Sequence, residues 1–259
     1  LAWVLVVVLW APALTIPRAK ADVRAALAAA DGQTKDRTVR AAVDALAALN
    51  PTVAPARATA LLGEWKQINS PEYPGMLGLD DQGNPQYTLG RLAFGIFEPK
   101  DLVCSISDVL NPLFAQDKVD NLYGYRIEIP LSFSGESGAR VDGTLLNFAE
   151  CGVLSDDRVS VSFLGGELRP GEGGLSADWE ATFGTALESA PRGTSARLVG
   201  WLTKRLMGLE RPTGMDGDGV MAYQMTKAPE GYLDVMYLDD EWRITKGNRG
   251  SIVVAERVA

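Results

Sequence analysis

The chain has 259 residues, of which 46% are hydrophobic, and it carries a formal net charge of −8 with no histidine. An acidic chain repels nucleic-acid phosphates, so the composition argues against nucleic-acid binding. The absence of histidine removes the commonest general base and transition-metal ligand, and it excludes Ser–His–Asp and Cys–His catalytic arrangements.

The first residues are almost wholly apolar. Residues 1–10 form an apolar run that is shorter than the roughly 20 residues needed to cross a membrane. Ala19-Lys20-Ala21 then supplies the small-x-small pattern of a signal-type cleavage site. We therefore expect residues 1–21 to be the remnant of a targeting peptide, with a membrane anchor that stays attached as the alternative.

Residues 22–58 predict an N-terminal helical segment. The Ala-rich stretch 22–30 has the composition of a helix, and Gly32 follows as its break. A second stretch places apolar residues at helical spacing on one face. Pro51 ends it, because proline excludes the residue before it from the helical conformation.

Residues 59–259 change to a β pattern. Short runs of β-branched and aromatic residues alternate with Gly, Pro, Asn and Asp. We predict strands at 61–69, 86–97, 101–107, 122–133, 140–148, 158–164, 177–183, 219–225, 231–238, 241–246 and 250–257. Many short antiparallel strands favour a sandwich or an up-and-down barrel, and a barrel of about eight strands can hold one small ligand.

One long segment, 184–218, interrupts the β pattern and predicts an inserted loop with an amphipathic helix at 195–209. Membrane or partner contact is expected from its apolar and basic side chains. These are Arg197, Leu198, Trp201, Leu202, Lys204 and Arg205. The alternatives are a lid over the mouth of a barrel and a helix that packs on the barrel with solvated charges.

Two stretches carry a family resemblance. The first is 44–52, which ends in Leu-Asn-Pro-Thr, followed at 61–66 by Leu-Leu-Gly-Glu-Trp-Lys. The second is 237–254, which begins Tyr-Leu-Asp-Asp-Glu-Trp-Arg-Ile-Thr-Lys-Gly. In this order they resemble the opening and closing signatures of the plastid lipid-associated protein (fibrillin) family, and the resemblance covers residues 36–257.

The resemblance implies a mainly β fold, a lipocalin-like antiparallel β-barrel preceded by α-helices. It implies import into the plastid (chloroplast) and association with thylakoid or plastoglobule membranes. The implied function is non-enzymatic binding or shielding of apolar molecules such as prenyl lipids, carotenoids or acyl lipids, with no cofactor beyond such a bound molecule. The alternative is a structural or assembly subunit with a filled barrel that docks on a photosystem or antenna complex.

The resemblance also suggests which residues form the site. In a lipocalin-type barrel the strand with Gly63 and Trp65 closes one end, and Arg243 matches an arginine that lies over the indole. Alternation along the strands gives the candidates for a ligand-lining surface. They are Phe94, Ile96, Tyr125, Ile127, Phe133, Leu145, Phe148 and Phe163. The alternative is a densely packed core without a cavity.

The sequence gives little indication of a metal site or of a disulfide bond. The clustered carboxylates lack the spacing of a calcium loop, so no metal site is expected. Cys104 and Cys151 are either two buried thiols or one disulfide, and the sequence leaves both open.

Overall fold

The computed structural model describes residues 14–116, 122–188, 208–227 and 230–258, and in them the chain is mainly β. The helices are α1 (Ile16–Ala29), α2 (Arg37–Ala47), α3 (Leu89–Leu92) and α4 (Ala177–Glu188), with 3₁₀ turns at Pro55–Arg57 and Thr59–Leu61. The strands are β1 (Trp65–Gln67), β2 (Gly78–Leu79), β3 (Pro85–Thr88), β4 (Val103–Ile106), β5 (Leu113–Ala115), β6 (Leu122–Ser134), β7 (Arg140–Gly152), β8 (Arg158–Pro170), β9 (Leu209–Glu210), β10 (Met221–Met225), β11 (Gly231–Leu238), β12 (Trp242–Gly247) and β13 (Ile252–Arg257).

The thirteen strands of the described residues form one antiparallel sheet. Its main path runs β1-β13-β12-β11-β8-β7-β6-β4-β3-β2, while β5 pairs with β6 and β10 pairs with β8 and β9. The mainly β class is thereby confirmed. The strand path is open, so a closed barrel is not confirmed.

The inner face of the sheet carries two apolar clusters because side chains alternate between the two faces of each strand. The first core cluster includes Tyr87, Leu92, Phe133, Leu145, Leu168, Trp179, Phe183 and Tyr223. The second core cluster includes Trp65, Leu113, Tyr125, Ala149, Cys151, Val161, Val235 and Ala255. Ile127, at the middle of β6, packs against both.

Helices α1 and α2 cover the outer face of β11, β12 and β13. They form a third core cluster that includes Val23, Val39, Val43, Leu46, Trp242, Ile244 and Val254. Asp36 caps the N-terminus of helix α2, and its carboxylate accepts hydrogen bonds from the amides of Thr38 and Val39. The helical spacing of its apolar residues therefore predicted the buried face of α2 correctly.

Helix α1 begins at Ile16, so the predicted boundary at residue 21 falls inside it. Ala19 is 1% exposed, and the Lys20 ammonium group contacts Asp239 at 2.7 Å. A cleavage after Ala21 would remove both contacts. Residues 1–13 lie outside the described residues.

The pH dependence of stability should report the contact between α1 and the sheet. Burial alone would raise the pKa of Asp239, but hydrogen bonds from Lys20 and Tyr237 and from two backbone amides hold it below its usual value of 3.8. A depressed folded pKa stabilises the protein above the unfolded pKa, and this contribution is lost as pH falls through the folded value. We expect Asp239→Asn to lower the free energy of unfolding by about 1 kcal/mol at pH 7, and by progressively less as the pH falls below 3.8.

Denaturant titrations across this pH range check the expectation. Asp240→Asn is the matched control, because it removes the carboxylate of the exposed neighbour, and it should change the free energy of unfolding at pH 7 by much less. A wild-type profile in the Asp239→Asn variant would contradict the assignment.

The predicted strand at 177–183 is wrong, because these residues form the start of α4. The Ser176 hydroxyl accepts a hydrogen bond from the Trp179 amide, which caps the helix. The acidic residues in the first turn interact favourably with the positive end of the helix dipole. Trp179 and Phe183 lie one turn apart on the buried face of the helix.

The predicted strand at 86–97 is also too long. The strand β3 ends at Thr88, and the single turn α3 follows. The chain then reverses at Phe94 and Gly95, both with positive φ, and Phe94 is 80% exposed. The predicted inward position of Phe94 is therefore wrong.

The remaining strands differ from the predictions mainly in their bounds. β1 is shorter than predicted, whereas β7 and β8 continue to Gly152 and Pro170. In the predicted insertion, Leu209 belongs to β9 rather than to a helix. Within the described residues, every helix is too short or too polar to span a bilayer.

Candidate binding site in the sheet core

Two guanidinium groups lie against the indole of Trp65. Trp65 is fully buried, and its Nε1 donates a hydrogen bond to the Leu61 carbonyl at 3.0 Å. The guanidinium carbon of Arg243 lies 5.1 Å from the ring centroid, and that of Arg257 lies 4.2 Å away. Such contacts fall within the range of cation–π attraction.

Arg257 is a site residue that the sequence analysis missed. In β13, Val253 and Ala255 face the second core cluster, so period-two alternation places Arg257 on the same face. All three of its guanidinium nitrogens donate to carbonyl oxygens, those of Asp240, Leu62 and Ala60.

Gly63 makes this approach possible. Its φ is +129°, a conformation that favours glycine, and a Cβ atom there would overlap the Nη1 atom of Arg257. Gly63 was predicted in the strand that closes one end of the barrel, and the group that packs against it is the guanidinium of Arg257.

Arg243 is 2% exposed, and it makes fewer hydrogen bonds than Arg257 does. Its Nη2 donates to the Asn111 carbonyl at 3.0 Å, whereas its Nε and Nη1 have no hydrogen-bond partner among the described residues. Burial lowers the pKa of Arg243 to about 10, and the positive charge of Arg257 acts in the same direction. Arg243 stays protonated at neutral pH.

Asn111 and Tyr125 complete the group around Arg243. The Tyr125 hydroxyl donates to Asn111 Oδ1 at 2.9 Å, while Asn111 Nδ2 has no partner among the described residues. Burial raises the pKa of Tyr125 to about 12, so its hydroxyl stays neutral and donates. Sequence analysis missed Asn111, because Pro112 follows it in a segment without a strand pattern.

The segment that carries Asn111, residues 109–113, lies between β1 and β6. Backbone hydrogen bonds join Gly63 and Leu113 in both directions, and the Asn111 amide donates to the Trp65 carbonyl at 2.7 Å. On the other side of the segment, the backbone amides of Leu110 and Glu128 each donate a hydrogen bond to the carbonyl of the other residue. The segment therefore links two strands that are far apart on the main strand path.

The predicted ligand-lining residues do not form one group. Tyr125 and Phe163 contact the second core cluster, whereas Ile96, Phe133 and Leu145 belong to the first. Phe148 lies on the opposite face of β7 from Leu145, because the two positions differ by an odd number. The predicted inward position of Phe148 is therefore wrong.

The two best-defined cavities of the described residues lie elsewhere. The larger, about 610 Å³, is lined by polar groups such as Ser105, Ser132, Arg140 and Thr144. The smaller, about 180 Å³, adjoins Asn69 and Asp108. None of the predicted ligand-lining residues contributes to either cavity.

Both cysteines are free and buried, Cys104 in the first core cluster and Cys151 in the second. Burial raises the pKa of each thiol to about 12, so both are protonated at neutral pH. The described residues contain no group of His, Cys, Asp or Glu side chains that could hold a metal ion.

The residues predicted for membrane or partner contact, Arg197, Leu198, Trp201, Leu202, Lys204 and Arg205, lie outside the described residues. Comparisons of the chain with family models, with curated proteins and with solved structures found no match. The relation to the plastid lipid-associated family therefore stays a resemblance in two sequence stretches.

Proposed function

We propose that the chain is a non-enzymatic, lipocalin-like barrel protein that binds or shields an apolar small molecule inside its sheet. The observation that carries the proposal is the second core cluster, an apolar interior that contains a small group of buried polar side chains. Mostly apolar walls with a few placed polar groups are the usual composition of a small-molecule site.

Closure of the sheet into a barrel is part of this proposal. Its support is the segment 109–113, which is hydrogen-bonded to β1 on one side and to β6 on the other. A barrel without free edges would surround the second core cluster, with Trp65 and its two arginines at one end.

The family resemblance supports the chemical class and the location. It favours a prenyl lipid, a carotenoid or an acyl lipid as the apolar molecule. It also favours a plastid protein, imported through an N-terminal targeting peptide, at the thylakoid or plastoglobule surface.

A second candidate is an assembly subunit that docks on a photosynthetic membrane complex, such as a photosystem or antenna complex. Exposed apolar side chains near β2 and α3 favour it, since exposed apolar patches often mark interaction sites. Met76 is 50% exposed, Leu77 57%, Leu79 62% and Phe94 80%.

Native purification followed by mass spectrometry of an organic extract tests the first candidate. A stoichiometric apolar molecule is expected, and Phe163→Ala should reduce it several-fold because Phe163 packs on the second core cluster. Phe148→Ala is the matched control, since this half-buried phenylalanine lies on the other face of the sheet. A lipid-free protein that co-purifies with membrane-complex subunits would contradict the carrier and favour the second candidate.

A further inference from the structure

The interior near Trp65 has an excess of positive charge. Arg243 and Arg257 both lie against the indole, and no ion pair of the described residues involves either of them. A buried cation is normally paired with an anion, because its desolvation is costly. The indole and the backbone carbonyls supply only partial negative charge.

Three hydrogen-bond donors at this place have no acceptor in the part of the chain that the structure describes. They are Nε and Nη1 of Arg243 and Nδ2 of Asn111, on side chains that belong to residues 2% and 3% exposed. The two residues touch through the bond from Nη2 to the Asn111 carbonyl. Buried polar groups without a partner are rare in folded proteins, and each one requires an explanation.

The nearest polar neighbour, Tyr125, accepts no hydrogen bond from them. Tyr125 is neutral, and its hydroxyl already donates to Asn111 Oδ1. Tyr125 itself belongs to the second core cluster, whose other members, such as Leu113 and Ala149, are apolar. What is missing is therefore an acceptor with negative charge, set at the edge of an apolar interior.

We propose that Arg243 and Asn111 bind the carboxylate head group of a long-chain fatty acid whose chain lies along the second core cluster. This rests on the proposed function and specifies the ligand class. A carboxylate carries one negative charge and about four lone-pair sites, enough to accept from all three donors. Hydrogen bonds between a guanidinium and a carboxylate are among the strong ones, since both groups are charged.

Arg257 has a different part in this site. Each of its three nitrogens already donates to a carbonyl, so its main contribution to the site is positive charge. It raises the attraction for an anion and holds Trp65 in place. Arg243 and Asn111 make the direct contacts.

The test uses the full chain and two matched probes, palmitate and methyl palmitate, which share an acyl chain and differ in head-group charge. Wild-type protein should bind palmitate at least about tenfold more tightly than the ester. This comparison needs no variant, so it does not depend on the folding of an altered protein.

Two variants then locate the head group. Asn111→Asp keeps the acceptor for Tyr125 and supplies a built-in carboxylate beside Arg243, so it should abolish the preference for palmitate over the ester. Asn147→Asp is the matched control. Asn147 is 7% exposed and its Oδ1 accepts from the Tyr223 hydroxyl at 2.7 Å, the same arrangement without a bonded arginine.

The outcomes separate this proposal from the proposed function. Equal affinity of the wild type for both probes overturns the head-group site and leaves apolar binding standing. Equal loss of palmitate binding in both variants also overturns it. If neither probe binds, the head-group site is overturned, and the organic extract of the native protein decides the carrier function separately.

Discussion

Replacing Trp65 with alanine is expected to lower the free energy of unfolding by about 4 kcal/mol. The substitution empties a fully buried site and leaves Arg243 and Arg257 without the aromatic face that each of them contacts. The hydrogen bond from the indole to Leu61 is lost as well. Chemical denaturation followed by far-ultraviolet circular dichroism gives the change directly.

Trp65→Phe is the control for this substitution. It keeps an aromatic face and loses the hydrogen bond, so the expected cost is about 1–2 kcal/mol. A cost below about 1 kcal/mol for Trp65→Ala would contradict the view that this tryptophan holds the end of the sheet together.

Replacing Trp179 with alanine is expected to cost a similar amount, about 4 kcal/mol. Trp179 anchors α4 on the sheet: it is fully buried and donates from Nε1 to the Gly219 carbonyl at 2.9 Å. Its ring lies 6.0 Å from that of Phe133 and 4.6 Å from that of Phe183. Thermal unfolding monitored by fluorescence and circular dichroism measures the loss.

A double-mutant cycle tests the packing beneath this ring. A Cβ atom at Gly143 would lie 2.5 Å from Cζ3 of Trp179, so Gly143→Ala alone should cost about 2 kcal/mol. In the Trp179→Ala background the same change should cost clearly less, because the clashing ring is gone. Gly173→Ala is the control, since no atom of the described residues lies within 4 Å of its Cβ position. Equal costs in both backgrounds would contradict the contact.

The elements that were predicted well are those whose own residues carry a clear pattern of caps, turns or apolar spacing. Helix α2 has a capping aspartate and apolar residues at helical spacing, and β12 and β13 have turn residues between apolar runs. These elements pack with α1 in the third core cluster. That packing is a tertiary contact, so the sequence pattern did not predict it.

The errors have physical causes that a linear pattern does not reveal. In 177–183 the aromatic residues favoured a strand, whereas the cap at Ser176 and the spacing of Trp179 and Phe183 set a helix. Phe94 was placed in a strand that ends six residues earlier.

The candidate site was predicted only in part. The resemblance led to Trp65 and Arg243, and alternation in β13 could have added Arg257. Asn111 had no such signal, because it reaches the site on a connection held by backbone bonds to β1 and β6. Its place in the site follows from the unpartnered donors on Asn111 and Arg243, which depend on the three-dimensional packing around them.

The central claim is that an apolar molecule binds inside the sheet, and a two-dimensional amide NMR titration of the full chain with palmitate tests it most directly. The account predicts that the largest shift changes occur at Asn111, Tyr125 and Arg243. Changes confined to the exposed residues Met76, Leu77 and Phe94, with the interior unaffected, would contradict it.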